Sequence, residues 1–204
     1  MQARSKWITI VVIIVILFLI VMFMKDNTKT MPSDMMKDAK QSSVTSASTS
    51  IEDWKKFTSE DNQFSVMLPT IPQHASEAVP LPNGQGSIKY DMYLSQEKDG
   101  STFMISMIHY PENFDTSNPD ILLEGVMKEM LSGSEENALK SSEKKEFKTL
   151  PSLNFAINNK DFVIHGLTFL SGKTLYVLTM IDRNMAGSDN QFGQFVDSFE
   201  VTQK

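Results

Sequence analysis

The chain has 204 residues, a formal net charge of -6 from 19 basic and 25 acidic side chains, and no cysteine. That length holds one domain and an appendage. The mixed charge, without a long basic run, excludes a nucleic-acid footprint, and the missing thiols exclude disulfides, thiolate metal sites, cysteine nucleophiles and lipobox acylation.

Residues 1–6 form a short basic tail with Arg4, Lys6 and the α-amino group. Trp7 to Met24 reads WITIVVIIVILFLIVMFM, with no charge, Gly or Pro. As a helix these about 18 residues span roughly 27 Å, close to the hydrocarbon thickness of a bilayer. The segment 7–24 is therefore expected to be a transmembrane signal-anchor, with Trp7 at one interface and Ile14, Leu17, Phe18 and Met24 in lipid. Lys25, Asp26 and Asn27 follow it, not a small-x-small cleavage site, which favours retention. The early basic residues put the tail in the cytoplasm and the rest outside, at a plasma (inner) membrane crossed once. Residues 25–50, with the run QSSVTSASTS at 41–50, read as a flexible Ser/Thr-rich tether.

Residues 51–204 have the texture of a folded α+β domain. Phe64, Val66 and Leu68 alternate up to Pro69, which predicts a strand. Weaker alternation predicts another at 75–79, and 87–95 and 102–109 follow on either side of the hairpin signal Asp99-Gly100. Asn118 as cap, Pro119 and Asp120 in the first turn, and Leu122, Leu123, Val126, Met127 and Met130 at helical spacing predict a helix stopped by Gly133. The polar stretch 134–145 reads as a loop with a frayed helical turn. Strands are expected at 146–158, 161–171 and 173–182, separated by Asn158-Asn159 and Ser171-Gly172. A last helix from about Asp189 places Phe192, Phe195, Val196 and Phe199 on one face. The expected architecture is an antiparallel sheet with helices packed on it.

Little in the domain has the spacing that chemistry requires. Gly172-Lys173-Thr174 lacks the glycine five residues upstream, where Leu167 stands, and it opens a strand, so it reads as a turn and not a phosphate loop. His74, His109 and His165 sit in no ligand spacing, though the sheet could bring His109 and His165 together. Acids are plentiful but unpatterned, with no calcium loop and no G-x-S-x-G elbow. Trp54 and Phe57 could form a ligand platform or a lid on the core edge. The residues therefore assign no catalytic group, cofactor or metal, and leave Trp54, His109 and His165 as candidate surface or pocket residues. The expectation is a non-catalytic binding or accessory module. It would contact the lipid bilayer through residues 7–24 and a protein partner at the membrane surface, and no nucleic acid. A hydrolase of envelope polymers using the unpatterned carboxylates, or a small-ligand carrier, is the alternative.

Trp54-x-x-Phe57, then Phe64-Ser65-Val66-x-Leu68-Pro69 and Pro72, resembles the start of PsbP-like bacterial envelope domains. The close is similar as well, with Leu175-Tyr176-x-Leu178 and then Phe195-x-Asp197-Ser198-Phe199. The resemblance covers about residues 54–201. It implies a PsbP-like α/β/α sandwich, with helices on both faces of a central antiparallel sheet, that acts in binding or assembly without a shared catalytic centre. No metal or partner residue carries over.

Overall fold

A computed structural model describes residues 53–61, 63–81, 86–183 and 189–202. The predicted anchor, with Trp7, Ile14, Leu17, Phe18 and Met24, and the tether at 25–50 lie outside these. Among the described residues no helix is long and apolar enough to cross a membrane.

Among the described residues ten strands and two helices follow one another in the order β1 (Lys55–Thr58), β2 (Phe64–Leu68), β3 (Gln73–Pro80), β4 (Ser87–Gln96), β5 (Thr102–His109), α1 (Pro119–Ser132), β6 (Ala138–Phe147), β7 (Leu150–Asn158), β8 (Val163–Ser171), β9 (Thr174–Asp182), α2 (Asp189–Ser198) and β10 (Glu200–Val201). Seven strands make one sheet, ordered β3-β4-β5-β9-β8-β7-β6, and β1-β2-β10 make a second of three. Every pairing is antiparallel. The large sheet is two meanders, β3 to β5 and β6 to β9, joined where β5 pairs with β9. The fold is α+β, as the patterning predicts.

The strand period places Phe103, Ile105 and Met107 of β5 on one face, beside Tyr176, Leu178 and Met180 of β9. That face packs against the small sheet and α2. Phe199 stacks on Phe64 with ring centroids 5.2 Å apart and meets Phe169 and Tyr176 edge-on. Phe195 does the same to Phe103 at 5.3 Å. The phenylalanine stripe expected on the last helix thus docks it on the sheet, and each buried ring contributes about 1.5–3 kcal/mol.

The other face carries α1, whose Leu123 and Met127 are buried and which packs on β7 and β8. Lys144, on the side of β6 opposite Phe147, reaches Asp120 at 2.7 Å and Glu124 at 3.0 Å. Phe155 of β7 lies over Gly166 of β8, its cross-strand partner. A Cβ at 166 would run into the Phe155 ring, so glycine is what lets the ring lie flat on the sheet.

Three expectations change. The stretch 134–145 is not a loop from Ala138 onward, because it forms most of edge strand β6. The run predicted as one strand over 146–158 is broken by a two-residue turn at Lys148 and Thr149, with φ of 47° and 73°. Asn118 makes no side-chain capping bond. The far end of α1 is instead closed by Asn137, whose Nδ2 donates to the Met130 carbonyl at 2.8 Å.

Candidate functional site

The chemistry-bearing side chains gather where β3, β4, β5 and β9 lie side by side. Register puts Lys89 of β4 directly opposite His109 of β5, and His109 opposite Thr174 of β9. One alternation along β4 comes Asp91, flanked across β3 by Ser76, and then Tyr93, opposite His74. All of these share the face that also carries Met107 and Tyr176.

Asp91 is the centre of this group and is only 2% exposed. Its Oδ1 lies 3.2 Å from His74 Nε2, while Oδ2 lies 2.9 Å from Lys89 Nζ and 3.1 Å from His109 Nε2. Burial pushes the carboxyl upward, but hydrogen bonds from Lys89, Ser76 and His74 outweigh it and leave Asp91 below its ordinary value. For His109 burial wins: it holds the imidazole below its ordinary value, against the opposing pull of Asp91. Tyr93 is pushed up to about 12 by burial, helped by the charges of Asp61, Asp91 and Glu60. Its ring stacks on His74 at 4.2 Å, nearly parallel. Asp61 sits in the turn between β1 and β2, which Ser59 shapes by accepting the Gln63 and Phe64 N–H groups at 2.9 and 3.2 Å.

These states fix the tautomer of His109. An ionised carboxylate accepts only, so Nε2–H donates to Asp91. In a neutral imidazole Nδ1 must then accept, and its partner is Thr174 Oγ1 at 3.0 Å, which donates. A hydroxyl, an imidazole and a buried carboxylate are thereby linked in that order across three strands.

The sequence candidates separate. His109 belongs to this group. His165 is 6% exposed, opposite Ala156 and Met180, with its ring 5.6 Å from that of Phe192. Six positions of β9 divide Thr174 from Met180, so the two histidines are roughly 20 Å apart along the sheet and do not meet. Trp54 is 4% exposed and packs edge-on against Phe103 at 4.8 Å, inside the core and not on a surface platform. Sequence reading left Asp91 among the unpatterned acids and Thr174 in a turn, and passed over Lys89. Alternation along 87–95 and 102–109 already put Lys89 and Asp91 on one face and His109 at a strand end, but not that β9 would lie against β5. Among the described residues no group of three or more His, Asp or Glu side chains is placed to hold a metal ion.

The architecture has a solved counterpart. The fold is similar to that of cyanobacterial PsbP. The solution structure of that cyanobacterial PsbP, from Synechocystis sp. PCC 6803, superposes with a TM-score of 0.52 at 10% identity, covering 80% of this chain and 98% of that one. At that identity the likeness concerns the fold. No family model and no curated protein matches the sequence. The domain thus has its backbone plan in common with a known protein, while the Asp91 cluster is described by its own side chains.

Proposed function

We propose that the chain is a single-pass, membrane-anchored binding or accessory module, with its PsbP-like domain held outside the plasma (inner) membrane by the tether at 25–50 and engaging a protein partner at the membrane surface. The observation that carries this reading is the uninterrupted apolar run Trp7 to Met24, directly before a polar tether and a folded domain. The PsbP-like fold supports an accessory role. A cytoplasmic tail at 1–6 follows from its unopposed positive charge.

The chain has no cysteine, so single reporters can be introduced without background. Ser5→Cys should react with a membrane-impermeant maleimide only after cells are permeabilised. Ser46→Cys should react in intact cells, and both proteins should pellet with membranes after alkaline carbonate. Release of the protein into the carbonate supernatant, or the reverse labelling pattern, would overturn the reading. Photo-crosslinking from the domain surface in the same membranes should capture a protein, and a small molecule copurifying in its place would point to the carrier alternative.

A further inference from the structure

Thr174, His109 and Asp91 run from surface to core. The Asp91 side chain is 3% exposed, the His109 side chain 19%, and Thr174 is partly exposed at the start of its strand. A threonine facing a histidine across two strands is ordinary by itself. Here the imidazole's second nitrogen is committed to a sealed carboxylate, so its free lone pair is aimed at the hydroxyl and cannot turn away. A neutral base in hydrogen-bond reach of a nucleophile, oriented by a third group, is the arrangement that activates a hydroxyl. The ring nitrogens are used in the reverse sense from the familiar serine triad, Nδ1 toward the hydroxyl and Nε2 toward the acid, but the proton logic is the same. Lys89, directly opposite His109 on the far side and half exposed, adds a positive charge to the row.

From this geometry we infer that Thr174 is an activated nucleophile that takes the acyl group of a carboxylic ester. Thr174 Oγ1 bonds to the ester carbonyl carbon as its proton passes to His109 Nδ1, and the C–O bond to the alcohol breaks as that proton leaves with the alcohol. Water then attacks the acyl-threonine, gives its proton to Nδ1, and the acid departs as Thr174 is reprotonated. Thr174 and His109 are the catalytic residues of this step, and Asp91 is a positioning residue. The inference adds a chemical activity to the anchored module and does not rest on the anchor.

The test uses the full chain in detergent with a fluorophosphonate, which phosphonylates activated hydroxyls with loss of fluoride. The expected result is one adduct per chain, mapped to Thr174, absent in Thr174→Val and retained in Thr174→Ser. In His109→Gln the rate should fall by about 100-fold or more. For the intact protein the rate should rise with pH to a plateau as the imidazole loses its proton, and Asp91→Asn should move that profile as well as lower it. Circular dichroism melts identify variants that fail to fold, and the wild-type and Thr174→Ser proteins carry the test by themselves. No adduct on Thr174 in the folded wild-type chain, or an unchanged rate in folded His109→Gln, overturns the inference. Membrane pelleting is unaffected by either outcome, so failure here is distinguishable from failure of the anchoring proposal.

Discussion

At the scale of single residues, Asp91 and His109 are both lowered in the folded chain, His109 by its burial and Asp91 by its hydrogen bonds. His109 lies below its ordinary 6.5 in the folded chain because burial disfavours the imidazolium. The folded state therefore binds fewer protons there than the unfolded state. Its contribution is fully present above 6.5 and is lost as pH falls below it. Asp91 lies below its ordinary 3.8 because its hydrogen bonds outweigh its burial. That contribution is present above 3.8 and is lost as pH falls further. The urea midpoint should thus be flat above about pH 7, decline below 6.5, and decline again in the carboxylate range. His109→Gln should reduce the first decline and leave the second, a result that a general acid sensitivity of the surface carboxylates would not produce.

At the scale of elements, the difference between reading and structure is concentrated in β6. Its residues Ala138 to Glu146 are exposed and only Phe147 is buried, so no apolar period marks it as a strand. Edge strands of this kind carry Lys and Glu because a bare edge would pair with another chain. The same polarity that protects the edge hides the strand from pattern reading. The turn that follows was hidden for another reason. Lys148 and Thr149 both take positive φ, which two-residue hairpins require but which Asn-Gly usually signals. Lys148 has a local reason to stay, since its Nζ donates to the Phe199 carbonyl at 2.6 Å and ties the turn to the end of α2. Thr149 has none, and a β-branched residue at φ 73° is strained. Thr149→Gly is expected to raise the stability by about 0.5–1 kcal/mol, read as a higher denaturant midpoint at constant slope. By contrast β2, β5 and α2 were legible from their periods, because each buries a regular apolar face. The Asp91 cluster was legible only in part, since its histidine lies on a readable strand while its partners depend on which strands become neighbours.

At the scale of the whole molecule, the seam between the meanders decides where stability resides. Within each meander neighbours are joined by hairpins, whereas β5 and β9 are separated by α1 and the β6-β7-β8 strands. Their pairing closes a long loop, and that entropy is recovered only by what the seam buries. Ile105 and Leu178 face each other there, both 0% exposed, with Phe103 opposite Met180 and Met107 opposite Tyr176. Asp91 and His109 flank the same seam, and His109 reaches across it to Thr174. Leu178→Ala should therefore cost about 2–5 kcal/mol, a large share of the 5–15 kcal/mol typical of a domain. Leu139→Ala, on the outer edge where the side chain is 44% exposed, should stay within about 0.5 kcal/mol. Urea unfolding of the two variants beside the parent chain measures the contrast. Equal losses at both positions would mean that the edge carries as much of the fold as the seam, against the burial that distinguishes them.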